Sequence, residues 1–497
     1  MQTVDNYIRR VDRLICKHLD EIDTSSRGDV SEDILDQLIK LVNLIMVKFY
    51  LKDSYATITP ALIEKAAENA QITSELSDLY RFRNCLNDGT VQVTLDENGS
   101  ERLMLKYYQY MLEAKNLLHE HFGIEILHNL EKFPLHLDST LQEYYSKIAE
   151  KLEKNPIGIG TGDDRYYIQK IKPLFVNNKI YREITFTPVD DGKNQTKTNR
   201  VIAFTRLDIN KGYASRFHLV TESIEILGME MPIIIIDGWE VSIRPCEFKN
   251  FAAIVKGKHD DIPPAEQRVI CNFLTHCNYT LDELMRFKED SYKKQSSKFK
   301  SETKSQCPFI SVLDYCYSII NCELPGQNIL RYLLLNMNNA IIKGQYNKNP
   351  NRNLSNLYLQ NGSIPFDSHP FNMSLSGHNP KLAAVFACIP RKKDRMPELF
   401  ARYIRDNTES KGQLFTDKNA ITGFQNIEAL IEKYNSSLWS GHRPESDLVL
   451  EDNNVFINRY KIDTCTIIEK LQQIASSGIQ GYTVGIISLS ASNSFLT

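Results

Sequence analysis

Apolar residues recur every three or four positions along the first 154 residues of the chain. The spacing is clearest in three stretches, EDILDQLIKLVNLIMVKFYLK, TPALIEKAAENAQ and LMLKYYQYMLEAKNLLHEHF. This period places the apolar side chains on one face of a helix, and the Thr-Pro pair that opens the second stretch is a helix-start signal. The pattern predicts an α-helical domain over residues 1–154.

The pattern changes after the glycine-rich stretch NPIGIGTGDDRYYIQK at residues 155–170, where aromatic and β-branched residues begin. Asn-Asn and Asp-Asp-Gly turn signals follow, so the glycines open a hairpin. A phosphate-binding loop would need a helix at this point, because the helix N-terminus binds the phosphate. A polymerase-type Gly-Asp-Asp turn would need an apolar strand before it, whereas KIAEKLEKNP is a helix end. We therefore predict a flexible boundary and a β-rich domain over residues 155–255.

Helical spacing returns over residues 256–345, where it is interrupted by the segment KEDSYKKQSSKFKSETKSQ. Polar, lysine-rich composition of this kind predicts a solvated loop. Residues 346–497 follow no single period and predict a mixed α/β region. The whole chain is predicted to be a multidomain α+β protein, helical at its N-terminus, β-rich in the middle and mixed toward its C-terminus.

Composition narrows the functional classes only slightly. The chain has 497 residues and a formal net charge of −3, so contact with nucleic acid would require a local basic patch. Its ten cysteines include no CxxC pair, which favours reduced structural thiols over a zinc site. The sequence contains neither a signal peptide nor an apolar run of about 18 residues, which predicts a cytoplasmic protein without a membrane partner.

One spacing resembles the acidic residue and Glu-x-Lys order of many metal-dependent nucleases. Asp237 closes an apolar run, and Glu247 and Lys249 follow in PCEFK. The two carboxylates would hold Mg²⁺ and the lysine would assist the attacking water. The alternative is structural, because Asp-Gly after an apolar run marks a turn and Pro245 interrupts a strand. No other cofactor is indicated.

His121, Glu125 and His128 have the spacing of metal ligands on one helix face. Gly123 weakens a helix at this point, and the residues do not follow the HExxH order. We therefore favour a solvated polar face, and we predict no metal site here.

Two basic segments are candidates for binding DNA or RNA. In the first, lysines that could contact phosphates surround Phe299, which could stack on a base. These lysines are Lys293, Lys294, Lys298 and Lys300. The second segment is CIPRKKDRMPELFARYIRD, with Arg391, Lys392, Lys393, Arg395, Arg402 and Arg405. The alternative for both is a solvated charged face.

The segment GSIPFDSHPFNMSLSGHNPKL, residues 362–382, places Asp367, His369 and His378 among serines and prolines. Loops that carry many titratable side chains are often functional. The alternative is a Ser/His/Asp nucleophile site, although the sequence has no G-x-S-x-G elbow. We favour a long loop whose histidines bind local backbone groups.

Three stretches, RYYIQKIKPLFVNNKIYREITFTP, IPFDSHPFNMSLSGHNP and YIRDNTESKGQLFT, resemble N-terminal regions of large bacterial proteins that continue into an ATP-dependent helicase-type domain and are found beside phage-defence genes. The resemblance implies a nucleic-acid-associated accessory module with a helicase or ATPase partner domain, and it assigns no active-site residues. The chain lacks the G-x-x-x-x-G-K-[ST] loop, so it carries no evident ATPase itself. Its ending, GYTVGIISLSASNSFLT, predicts a truncated or separately encoded piece. A metal-dependent nuclease and a protein-binding scaffold are the alternatives.

Overall fold

The chain divides into two compact units, Met1–His369 with Met373–Pro390, and Pro370–Asn372 with Arg391–Thr497. The chain contains helices and two sheets, which confirms the predicted multidomain α+β fold. The first unit contains all three regions predicted over residues 1–345. The computed structural model describes residues 3–21, 27–52, 55–71, 73–87, 99–133, 139–158, 160–189, 200–277, 279–303, 307–363, 375–389, 395–421, 423–441 and 443–477.

The N-terminal segment is helical, as its apolar spacing predicts. Pro60 is the first residue of its helix, and the N–H of Leu62 donates to Oγ1 of Thr59 at 3.2 Å, which caps the helix start. The buried face of the first five helices forms one core, with Ile8, Ile45 and Met111 fully inside it. The helices are α1 Val4–Glu21, α2 Arg27–Leu51, α3 Pro60–Gln71, α4 Ser77–Asn87, α5 Gly99–Phe122 and α6 Ser139–Lys154.

A closed barrel of five strands follows α6. The strands are β1 Arg165–Val176, β2 Lys179–Pro188, β3 Val201–Thr205, β4 Ser215–Ile226 and β5 Met229–Val241. Their order is β1-β2-β3-β5-β4, and pairing of β1 with β4 closes the barrel. The β3–β5 pair is parallel, and the other pairs are antiparallel.

The predicted first hairpin is confirmed. Asn177 and Asn178 form its two-residue turn, and both have a positive φ, 50° and 60°. Asparagine adopts this left-handed conformation more readily than most residues, which explains why the Asn-Asn pair joins β1 to β2.

The barrel has apolar side chains on both of its surfaces. Its interior contains Ile184, Phe186 and Phe217, all buried. On the outside, helix α6 packs Ile148 and Leu152 against strand residues that include Phe204. Helix α6 covers part of the outer surface, whereas Ile202, at another outward position, is 51% exposed.

The first unit ends in a second set of helices. They are α7 Pro245–Lys256, α8 Pro264–Cys277, α9 Leu281–Met285, α10 Glu289–Thr303, α11 Pro308–Asn321, α12 Gln327–Asn336, α13 Asn339–Gln345 and α14 Leu382–Cys388. The lysine-rich segment that we predicted to be a loop is α10, so that prediction is wrong. Tyr292, Ser296, Phe299 and Thr303 form its buried stripe at helical spacing.

The second unit combines helices with a small antiparallel sheet of order β6-β8-β7. Asp452 and Asn453, both with positive φ, form the turn between β7 and β8. Buried Phe400 and Val455 contribute to its core. The elements are α15 Met396–Lys411, β6 Thr416–Asp417, α16 Ile427–Ser437, α17 Arg443–Ser446, β7 Leu448–Glu451, β8 Asn454–Ile457 and α18 Asn458–Ser476. In the described parts of both units, no helix has the length and apolar character to cross a membrane.

Candidate functional site

The three predicted nuclease residues lie on two different elements and have different partners. Asp237 lies on β5, whereas Glu247 and Lys249 lie on helix α7 and not on a strand. Lys249 forms an exposed ion pair with Asp261, with Nζ and Oδ1 2.8 Å apart. Each of the three residues therefore has a different local partner.

Glu247 has a structural role at the start of α7. Its carboxylate accepts a hydrogen bond from the backbone N–H of Arg244 at 2.7 Å and forms an ion pair with Arg165 at 3.2 Å. The Glu247 side chain is only 2% exposed. These contacts satisfy a buried charge, and they give the carboxylate a full set of partners without Mg²⁺.

The predicted helical face of His121, Glu125 and His128 does not form. Helix α5 ends at Phe122, and Gly123 follows with a φ of +62°. Glu125 instead accepts from Nδ1 of His119 at 2.6 Å, and His128 contacts the Cys16 thiol at 3.5 Å. Within the described ranges, no three His, Cys, Asp or Glu side chains are grouped as a metal ion would require.

The first basic segment is a mixed-charge helix. Lys293 pairs with Glu289 at 2.5 Å, and Lys300 pairs with Asp314 at 2.8 Å. Phe299 is 2% exposed and packs against Phe273, so its ring is not accessible for stacking on a base. The other two predicted lysines are exposed: Lys294, and Lys298, which lies 3.9 Å from Glu302.

The second basic segment and the histidine-rich loop lie largely outside the described residues. Arg391, Lys392, Lys393, Asp367 and His369 all lie there. Arg395 forms an ion pair with Glu398, Arg402 is fully buried, and Arg405 pairs with Glu409 at 2.9 Å.

His378 binds the hydroxyl of Tyr332 through Nε2 at 2.5 Å. This contact joins the imidazole to a side chain of helix α12.

The barrel carries a histidine–aspartate pair that the sequence did not reveal. Strands β4 and β5 pair His218 with Gly238 and Leu219 with Ile236, so Asp237 is the extra residue of a β-bulge. A bulge changes the direction of a side chain relative to the regular pleat. Asp237 accepts from Nδ1 of His218 at 2.6 Å.

The glycine-rich stretch packs against this pair. The N–H of Gly158 donates to the carbonyl of Asp237, and the N–H of Gly162 donates to the carbonyl of Phe217, both at 3.0 Å. A Cβ atom on Gly158 would stand 3.0 Å from the Asp237 carboxylate. Gly158 and Gly162 are thus hydrogen-bonded to the barrel strands, and glycine permits this close backbone approach.

The two members of the pair differ in their exposure. The Asp237 side chain is 11% exposed, whereas the His218 side chain is 49% exposed. When Nδ1 donates its proton to the carboxylate, Nε2 keeps a lone pair that points away from that bond. The arrangement can support proton transfer, because a covered carboxylate fixes the tautomer and orientation of an accessible imidazole.

A second titratable cluster lies where the barrel meets the N-terminal helices. Burial and the neighbouring Asp208 carboxylate raise the pKa of Asp78 to about 7. Arg81 and Arg182 oppose this shift, with contacts of 2.7 Å to Asp78 and Asp208 respectively. Burial likewise raises the pKa of Glu113 well above its usual range. This cluster links α4 and α5 to β2 and the segment after β3.

Comparison of the chain with models of protein families, with curated proteins and with solved structures gives no match. The resemblance to helicase-type proteins therefore stays a prediction.

Proposed function

We propose that the protein binds single-stranded nucleic acid through the outer surface of its barrel. The observation that carries the proposal is the strand order β1-β2-β3-β5-β4 with a closing β1–β4 pair and a parallel β3–β5 pair. This is the strand order of the five-stranded Greek-key barrels that bind oligonucleotides and oligosaccharides, mainly on the surface of strands 2 and 3.

The corresponding surface of this barrel is partly open. Lys170, Thr185 and Ile202 lie side by side on β1, β2 and β3. Their neighbours along the strands, Ile184 and Ala203, point into the barrel core. The row therefore faces outward, and we call it the β1–β3 row.

Helix α6 marks one limit of the open surface. Lys172 and Phe204 belong to the next outward row, where Lys172 donates to the hydroxyl of Tyr145 at 2.9 Å and the ring of Phe204 contacts Tyr144. The β1–β3 row lies beyond this contact. Ile202 is accordingly 51% exposed.

The chemistry of the open row suits a nucleic-acid strand. Lys170 is exposed, and Arg200, also exposed, immediately precedes β3. These cations can neutralise phosphates, and Ile202 offers an apolar contact for a base or sugar. We therefore propose the β1–β3 row as the binding site instead of α10, because Phe299 of α10 is buried.

Fluorescence anisotropy with labelled single-stranded DNA and RNA of unrelated sequence tests the proposal. Changing Lys170 and Arg200 together to glutamine should weaken binding, and it should reduce the slope of log affinity against log salt by about 0.7 for each lost phosphate contact. Ile202→Ala should weaken binding with little change in the slope.

The matched control is the double change of Lys293 and Lys298 to glutamine on α10, which should leave affinity and slope close to those of the unchanged protein. Absence of binding even at low salt would contradict the proposal. An equal loss in the control would show that the effect is one of net charge alone.

The scaffold hypothesis is a second candidate, because helix α18 has no buried residue. Its apolar side chains are about half-exposed: Ile462, Ile467, Ile468, Leu471 and Ile474. Exposed apolar surface of this kind is typical of protein interaction sites. If α18 binds a second copy of the chain, Ile467→Glu with Leu471→Glu should reduce the apparent mass in light scattering. A monomeric mass for both the unchanged protein and the double variant would contradict self-association through α18.

The partner implied by the resemblance, a helicase or ATPase domain, would supply the energy-dependent step that this chain lacks. The proposed binding surface lies entirely on this chain. The binding experiment therefore uses the chain alone.

A further inference from the structure

The imidazole of His218 is positioned by one carboxylate and is open on its other side. Its Nδ1 is 2.6 Å from Asp237, and nearly half of the side chain is accessible to solvent. The Asp237 carboxylate, in contrast, is covered by the backbone of Gly158. Water and ligand can thus approach the imidazole of the pair but hardly the carboxylate.

Close backbone contacts surround the bulge that carries this pair. Gly238, next to Asp237, lies under the carbonyl of Gly160, and the N–H of Gly162 bonds to the residue before His218. Backbone contacts therefore hold both strands and the crossing segment together. A pre-organised base of this kind needs little rearrangement before it accepts a proton.

The contacts of His218 narrow the chemistry it can perform. Among the described residues, Asp237 is hydrogen-bonded to the imidazole of His218, and no serine, threonine or cysteine is hydrogen-bonded to that ring. A nucleophile would therefore come from the ligand or from water. RNA supplies such a nucleophile itself, because its 2′-hydroxyl lies beside the phosphodiester.

We infer that His218, held by Asp237, is a general base that cleaves RNA bound to the barrel. The inference rests on the proposed nucleic-acid binding. Nε2 of His218 takes the proton of a 2′-hydroxyl, and the 2′-oxygen forms a bond to the adjacent phosphorus. The bond from phosphorus to the 5′-oxygen of the next nucleotide breaks, and that oxygen takes a proton from water. The products are a 2′,3′-cyclic phosphate and a 5′-hydroxyl, and His218 returns its proton to solvent.

Arg216 provides a cation on the same side of β4. It lies two residues before His218, so both side chains project from one surface of the strand. Its guanidinium contacts Glu240 at 3.3 Å and remains partly exposed. A phosphate beside His218 would thus have a positive group along the same strand, which favours its binding there.

The test uses a labelled DNA oligonucleotide with one central ribonucleotide, incubated with the full chain in EDTA. We expect cleavage at the ribonucleotide with a cyclic-phosphate end, and no cleavage of the all-DNA strand. His218→Ala and His218→Gln should lower the rate by about 10²- to 10⁴-fold, as expected for loss of a general base. His276→Ala is the matched control, because His276 is an exposed histidine whose Nδ1 contacts a backbone carbonyl. This control should cleave at the unchanged rate.

Asp237 is a positioning residue, and Asp237→Asn tests that role through the histidine tautomer. In the unchanged protein, ¹⁵N NMR should show the proton of neutral His218 on Nδ1, and the variant should lose this preference together with activity. Binding of a 2′-O-methyl strand, measured on the same preparations, separates the two proposals. Strand binding without cleavage, or cleavage unchanged in both His218 variants, would overturn the inference and leave the binding proposal intact.

Discussion

The carbonyl oxygen of Gly160 lies directly over Gly238, 2.5 Å from the position that a Cβ atom on Gly238 would take. No ordinary side chain fits that space, so two backbone segments meet where a larger residue would separate them. The contact lies beside the Asp237–His218 pair. It links a glycine in the segment before β1 to one nearly 80 residues later in the chain.

Gly238→Ala should lower the free energy of unfolding by about 1–3 kcal/mol, because the added methyl group meets backbone and cannot be accommodated by a rotamer change. Urea denaturation monitored by circular dichroism measures the effect. A denaturation midpoint equal to that of the unchanged protein would show that the glycine segment can move aside, and it would contradict the close packing.

Glu247→Gln should be strongly destabilising, because it leaves the largely buried Arg165 without its carboxylate partner. Loss of one member of a buried pair costs about 3–5 kcal/mol. Lys249→Ala is the control, since its ion pair with Asp261 is exposed, and exposed pairs contribute at most about 1 kcal/mol. Equal, small effects in denaturation would contradict the structural role assigned to Glu247.

Asp78 should make stability depend on pH. Its folded-state pKa is about 7, above its ordinary value of 3.8, so the folded protein keeps a proton that the unfolded chain releases. The free energy of unfolding should therefore fall as pH rises from the ordinary value of 3.8 to the folded-state value of about 7, by up to about 1.4 kcal/mol per pH unit. The loss is complete above the folded pKa.

Asp78→Asn removes that titration and should flatten the dependence between pH 5.5 and 8, measured as the urea midpoint. Glu113 still titrates in the variant, so a residual slope is expected. Exposed Asp163→Asn should keep the full slope. A variant at Asp78 with the same slope as the unchanged protein would show that its carboxyl group does not hold the proton.

Local patterns in the sequence predicted the elements whose signals are local. The spacing of apolar residues gave α2, α3 and α5, and Asn177–Asn178 gave the first hairpin. Helix α10 was missed because two of the four positions in its buried stripe are Ser296 and Thr303, which lower its apolar signal. Helix α7 is not apparent from the sequence, because Pro245 is typical of a strand break, although proline is also common in the first turn of a helix.

The His218–Asp237 pair could not be predicted from the sequence for a different reason. His218 and Asp237 meet only because β4 and β5 pair in one register with one extra residue, and that register is a long-range property. The alternate glycines at 158, 160 and 162 were the available signal. They indicated a special backbone, but the sequence did not show that it packs against Asp237.

Photo-crosslinking locates the bound strand most directly. A single-stranded DNA oligonucleotide with 5-iodouracil at several positions is irradiated with the protein, and the modified peptides are identified by mass spectrometry. We expect adducts on the peptides that carry Lys170, Thr185 and Ile202, and their loss when Lys170 and Arg200 are both changed to glutamine. Adducts confined to α10, or no adduct at salt concentrations where anisotropy shows binding, would contradict the proposal that the barrel surface binds the strand.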